Sequence, residues 1–159
     1  MLKITVVSVG KMKEKFFLQG VEEYSKRLSR YANVNIIELK DEPTPDAPTD
    51  KKREQILSKE GERIKEKIPK DAYIISLCVE GKQLSSEDFS DILRDVPQTN
   101  SNIVFIIGGS LGLSEEIKKL SHLRLSFSKM TFPHRLMRLI LFEQIYRAFT
   151  IIEGKEYHK

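Results

Sequence analysis

The run Asn102-Ile-Val-Phe-Ile-Ile107 passes directly into Gly108-Gly-Ser-Leu-Gly-Leu-Ser114, and this junction decides the fold. A strand with one wet face alternates apolar and polar residues. An unbroken apolar run belongs instead to a strand buried on both faces, as in parallel sheets covered by helices. The glycines that follow provide a turn without side chains, where backbone can approach a ligand closely. Ser114 suits the cap of a short helix running to about Leu120, with Glu115 and Glu116 in its first turn.

The pattern extends in both directions. Leu2 to Val9 is a β-branched run closed by Gly10 and reads as a buried strand. Glu14 to Arg30 carries Phe17, Val21, Tyr24 and Leu28 at helical spacing. Val34 to Leu39 is a second strand, followed by a proline-rich acidic loop from Asp41 to Asp50. Lys51 to Lys67 is a highly charged helix with few apolar anchors (Ile56, Leu57, Ile64), expected to be exposed on one side. Tyr73 to Val79 is the third strand, ended by Gly81. Ser85-Ser86 can cap a helix from Glu87 to Val96. On the far side of the glycine loop, Leu123 to Phe132 contains a fifth strand, and His134 to Phe149 forms a long last helix after Pro133. Alternating strand and helix predict an α/β fold, a mainly parallel sheet with helices on both faces, in one domain spanning residues 1–159. Ligands of such sheets bind outside the carboxyl ends of the strands, so the loops after strands three, four and five are the places to look.

Composition narrows the function. Hydrophobic content of 40% and charged content of 31% suit a soluble globular protein. The N-terminus has no signal-peptide pattern, and no apolar stretch approaches bilayer length, so a cytoplasmic location is expected. Cys78 is the single cysteine, which excludes an internal disulfide and leaves a small core residue or a catalytic thiol. No metal site is expected. The net charge is +4, and all of it falls in residues 122–159, with seven basic residues against three acidic ones. All three histidines lie there too. A basic end on a neutral body suits a polyanionic partner, phosphate above all; chance clustering of solvated charges is the other reading.

Four constellations in the last part of the chain could carry chemistry. Gly108 to Ser114 is either an ordinary tight turn or a ligand-gripping loop. It lacks both the Gly-x-Gly-x-x-Gly dinucleotide spacing and a Gly-Lys-Ser/Thr phosphate loop. Phe127-Ser-Lys-Met-Thr-Phe132 leads into Pro133-His134-Arg135. His134 and Arg138 share a helix face, and Arg135 neighbours Arg138, so the cluster can hold phosphate or form a solvated basic face. The helix from Leu136 to Phe149 is apolar on more than one stripe, hence central or covered by another subunit; Glu143 and Arg147 have the spacing of an internal pair. The tail Tyr157-His158-Lys159 is either frayed or a group that stacks on a base and contacts phosphate.

Taken in order, six motifs resemble one family. They are the start Leu2-Lys-Ile-Thr-Val-Val-Ser-Val-Gly-Lys11, Leu77-x-x-x-Gly81-Lys82, Ile107-Gly-Gly-x-x-Gly-Leu-Ser114, Met130-Thr-Phe-Pro-His134, Glu143-Gln-Ile-Tyr-Arg-Ala148 and Tyr157-His158. The chain resembles the RlmH family of SPOUT methyltransferases over essentially its full length. The resemblance implies a SPOUT-type α/β fold with a C-terminal trefoil knot, and a homodimer with the cofactor site near the interface. It implies S-adenosylmethionine held by Leu77, Gly108 and the segment Phe127, Ser128, Lys129, Met130, Thr131 and Phe132. The implied substrate is pseudouridine 1915 of 23S rRNA, methylated at N3 on assembled 70S ribosomes. Loss of the N3 proton makes a base chemically reasonable, with His134 and His158 as the candidates and Arg138 as a catalytic group that favours an anionic base; Arg135, Arg138, Tyr157, His158 and Lys159 are the RNA contacts. Lys159 stands where the family pattern has arginine, which keeps the charge but loses the planar fork. The competing expectation is a non-catalytic RNA- or ribosome-binding protein using the same basic surface.

Overall fold

The computed structural model describes residues 1–159. The run at 102–107 forms β4 (Asn102–Ile107) and is buried as its composition requires. Ile103, Phe105 and Ile107 face one core, Val104 and Ile106 the other, and none is more than 3% exposed. Around it lie β1 (Leu2–Val9), β2 (Ala32–Leu39), β3 (Tyr73–Gln83) and β5 (Leu123–Ser126), all parallel, in the order β2-β1-β4-β3-β5. The chain builds outward from β1 to the β2 edge, crosses to β3, returns to insert β4 beside β1, and ends at the β5 edge.

Five helices cover the two faces: α1 (Lys15–Leu28), α2 (Asp50–Lys65), α3 (Ser86–Asp95), α4 (Glu115–Leu120) and α5 (His134–Ile152). The larger core joins Val21 and Leu28 of α1, Phe89 and Leu93 of α3, and Leu141, Phe142, Ile145, Ala148 and Phe149 of α5 to one sheet face. On the opposite face Ile64 of α2 and Ile117 of α4 pack on Val7, Val9, Val104 and Ile106. A fully buried side chain of this kind contributes roughly 1.5–3 kcal/mol by leaving water. Thr49, Ser85 and Ser114 cap α2, α3 and α4, each side-chain oxygen accepting a backbone N–H three residues on. No helix is long and apolar enough to cross a membrane.

Three boundaries differ from the sequence reading, and each bears on function. β3 does not end near Val79 but continues to Gln83 through a register break: Leu77 and Lys82 both pair with Leu125 of β5. The residues between them leave the β5 ladder, and a bulge of this kind re-aims side chains at a strand end. β5 is only four residues long, so Phe127 to Pro133 is loop. α5 runs on to Ile152, and the tail beyond it is docked on the protein rather than frayed.

Candidate functional site

The carboxyl ends of β3, β4 and β5 enclose a cavity of about 590 Å³, a size typical of small-molecule sites. Four stretches line it. The β3 bulge contributes Leu77, Cys78, Val79 and Glu80, and the glycine turn contributes Gly108 to Leu113. The loop after β5 contributes Phe127, Ser128, Thr131 and Phe132, and the start of α5 contributes His134 and Met137. Leu77, Gly108, Phe127, Ser128, Thr131, Phe132 and His134, expected from sequence to serve one site, thus meet in one cavity. Lys129 and Met130 do not line it; both are exposed, Met130 to 73%.

The glycine turn closes on itself. Gly112, at φ +83°, donates its N–H to the Gly109 carbonyl at 3.1 Å. A Cβ on Gly108 would collide with the Gly112 carbonyl, so only glycine permits this approach. Behind the turn stands Glu60 of α2, 4% exposed. Its carboxylate accepts the Glu42 N–H at 2.9 Å, and its oxygens lie 3.5 and 3.6 Å from where a Gly109 Cβ would sit. Burial pushes the Glu60 carboxyl above its ordinary range. The proline-rich segment is thereby fastened behind the glycine turn. Sequence reading missed Glu60 because an acidic residue in a highly charged helix looks solvated. The available signal was its neighbour Gly61, a glycine in a helix interior, whose missing side chain leaves room for Ser114.

The loop after β5 braces itself. Ser126 Oγ donates to the Ser128 carbonyl at 2.9 Å, and Ser128 Oγ accepts the Met130 N–H at 3.0 Å. On the other wall the Lys118 ammonium is paired with Glu80, itself in the β3 bulge. Cys78 is half-buried beside it, and burial raises its thiol pKa, so it stands as a neutral thiol at pH 7 rather than a thiolate nucleophile.

His134 is the titratable group at the α5 end of the cavity. Burial first, then the charges of Arg135 and Arg138, hold its pKa below the ordinary 6.5, so the imidazole is neutral at pH 7. Gly10, at φ +101°, lies against it: a Cβ there would be 3.5 Å from His134 Nε2. The β1–α1 loop that Gly10 opens is fastened to this helix start through Arg138 and Arg135 and to the end of β2 through Glu38. Arg138 Nη2 donates to the Gly10 carbonyl at 3.2 Å, Glu38 accepts the Met12 N–H at 2.8 Å, and Glu14 pairs with Arg135.

Arg138, expected to contact RNA or act in catalysis, has a side chain 3% exposed, paired with Glu38 at 2.6 Å and outside the cavity lining of its own chain. An arginine among Leu136, Met137, Leu139 and Ile140 is carried inward with its apolar neighbours, and Glu38 neutralises it there. Removing Glu38 would leave the Arg138 guanidinium buried without its counter-charge, which is destabilising. Arg135 is half-buried on Glu14 and only partly available.

The tail lies elsewhere. Tyr157 donates to Glu143 at 3.2 Å, packs edge-on against Tyr146 and sits under Arg147. Burial, with Tyr24 and Glu143, pushes its phenol pKa up. His158 contacts Arg147 through Nδ1 at 3.1 Å and Glu87 through Nε2 at 2.6 Å. Lys159 is exposed. None of the three lines the cavity of its own chain. The expected Glu143–Arg147 pair is present and serves as the tail's anchor. No group of three His, Cys, Asp or Glu side chains is arranged to hold a metal ion.

Comparison with known proteins adds to this geometry. The family model described as "Predicted SPOUT methyltransferase" matches residues 2–158. The chain is 54% identical over 159 residues to ribosomal RNA large subunit methyltransferase H of Streptococcus gordonii, covering 99% of this chain and all of that one. It is 51% identical, with the same coverage, to the protein of that name from Listeria monocytogenes serovar 1/2a. A solved structure described as a probable methylase family protein from Haemophilus influenzae aligns over 99% of this chain and 70% of its own with a TM-score of 0.54; at 12% identity it speaks to fold alone.

Proposed function

The chain belongs to the SPOUT methyltransferase family, and from that membership we propose that it is an S-adenosylmethionine-dependent methyltransferase of large-subunit ribosomal RNA. The observation that carries the reading is the cavity at the carboxyl ends of β3, β4 and β5, walled by glycine backbone on one side and apolar side chains on the other. The donor set suits this cofactor. Its size fits a nucleoside-sized ligand, Gly108 allows backbone contact, and Leu77, Phe127 and Phe132 supply apolar walls. The full proposal is a single domain over residues 1–159, with the C-terminal trefoil knot of its family, acting as a cytoplasmic homodimer.

When bound, S-adenosylmethionine would supply a sulfonium methyl group for direct displacement. The residues of the chain have three tasks in that step. Gly108 and the self-braced 126–130 loop would hold the donor and orient it towards the nucleophile, which would lower the entropic barrier. Leu77, Phe127 and Phe132 exclude water. His134, neutral and on the cavity wall, accepts the proton from N3 of the target pseudouridine in 23S rRNA. Lys129 and Met130, exposed beside the cavity, lie on the side from which the assembled ribosome approaches. Arg135, Tyr157, His158 and Lys159 contribute the polar contacts to RNA; the tail completes the site of a second protomer, since it lies off the cavity of its own. Dimerisation is supported by Leu136, Leu139 and Ile140 of α5, which the single chain covers only in part.

Incubation with methyl-labelled S-adenosylmethionine and ribosomes lacking the modification tests the proposal. Label is expected in 23S rRNA, on N3 of the pseudouridine. Folded protein that binds these ribosomes and transfers no label contradicts it, and supports a non-catalytic RNA-binding role instead.

A further inference from the structure

The geometry points to a second RNA contact, formed by Lys11 and Lys13 of the β1–α1 loop with Lys15, the first residue of α1, which grips the phosphate backbone of the RNA beside the cavity. The inference rests on the methyltransferase reading and locates where its substrate is held. The basic residues at the start of α5 each have a carboxylate partner within the chain. Arg138 is buried on Glu38, and Arg135 is paired with Glu14. The neighbouring segment presents the opposite state: Lys11, Lys13 and Lys15 are all exposed, and none has a hydrogen bond or ion pair in the protein. Met12 between them is 5% exposed and points into the core, so the alternation aims the lysines outward.

The loop is not a loose arm. The Gly10 carbonyl and the Glu14 carboxylate bind it to Arg138 and Arg135 at the helix start that carries His134, and the Met12 N–H binds it to Glu38 at the end of β2. A loop fixed this way holds its charges at a set position relative to the cavity, so little ordering entropy is lost on binding. Charge placement also departs from what stability favours. α1 has no acidic residue in its first turn, and its N-cap Glu14 makes no capping hydrogen bond because its carboxylate is turned to Arg135. Lysines at a helix start oppose the helix dipole, a cost that a bound anion relieves. Beside them Phe16 is 64% exposed, an aromatic face of the kind on which an unpaired base stacks. Cations interleaved with an exposed ring suit single-stranded or looped RNA.

The test is ribosome binding as a function of salt, read without turnover. Each phosphate contact contributes about 0.7–0.9 to the slope of log affinity against log salt. The Lys11→Gln/Lys13→Gln/Lys15→Gln variant should therefore lose about two to three units of slope and bind ribosomes at least about tenfold more weakly near physiological salt. Its affinity for S-adenosylmethionine by calorimetry should match the wild type, which shows that the fold and cavity are intact. A control with Lys51→Gln/Lys52→Gln/Arg53→Gln, on α2 across the sheet, removes the same charge and should leave the slope nearly unchanged. Equal slopes for wild type and the loop variant overturn the inference, as does an equal loss in the control. Failure of the wild type to transfer label would sink the methyltransferase reading while leaving this binding result to stand or fall separately.

Discussion

α5 has two ends with different constructions. Its N-terminal end meets the cavity, where the side chains are neutral or apolar and the nearby charges are tied down: Arg138 by Glu38, Arg135 by Glu14, Lys118 by Glu80. Its C-terminal end carries a polar cluster, in which Glu143 and Arg147 hold Tyr157 and His158. The first end lines the cavity of its own chain. The second is ordered but lies off the cavity of its own chain. The difference separates two tasks of the proposed reaction, since a cofactor site must exclude water and fix geometry, whereas a contact to RNA must offer donors and cations to a partner.

The most disruptive change to the cavity end is Gly108→Val. The added carbons meet the Gly112 carbonyl and close the turn, so S-adenosylmethionine binding should fall below detection while the melting transition of the protein persists. Calorimetry checks the first and thermal unfolding the second.

His134→Asn should lower kcat by about 10²–10⁴-fold with little change in donor affinity. The pH profile gives a sharper reading. In the wild type the imidazole is the active form and its pKa is lowered, so the rate should rise through a limb below pH 6.5 and then level. The same shift has a stability consequence. The unfolded chain binds this proton more readily, so the neutral histidine's contribution is full above pH 6.5 and is lost as pH falls towards the lowered folded value. A rate limb unchanged in the variant would assign the titration to another group.

Removing Tyr157 to Lys159 addresses the other end. Methylation of rRNA should drop by at least about tenfold, a loss of roughly 1.4 kcal/mol in transition-state stabilisation. The smallest effect expected is that of Glu60→Gln. The amide oxygen still accepts the Glu42 N–H, and the carboxylate's burial cost disappears, so stability at pH 7 should change by less than about 1 kcal/mol or rise. Because the Glu60 pKa is raised, its ionised form costs stability as pH increases through the folded value, and the variant should lose that dependence. Glu60→Ala, which leaves the Glu42 N–H unpaired, should cost about 1–3 kcal/mol in denaturant unfolding.

How much of this was legible follows from the range of the forces. The run 102–107 could be read because burial on both faces leaves its mark on each residue, and the caps at Ser85 and Ser114 because capping is local. The meeting of Leu77, Gly108 and Phe127 followed from the general placement of loops in α/β sheets, and the resemblance picked out the residues. The β3 bulge was not legible: whether Leu77 or Lys82 pairs with Leu125 is decided by β5, some forty residues on. Glu60 and Arg138 share a cause. Each is a charged side chain whose neutralising environment comes from a distant segment, so neither could be told from a solvated residue by its own neighbours alone.

The division between the two ends of α5 is tested most directly by titrating S-adenosylmethionine into the full chain and into a chain ending at Glu156. The same affinity is expected for both, with the defect of the shortened chain confined to methylation of rRNA. Donor affinity that disappears with the tail would contradict this expectation, as would a folded full-length chain that binds no donor.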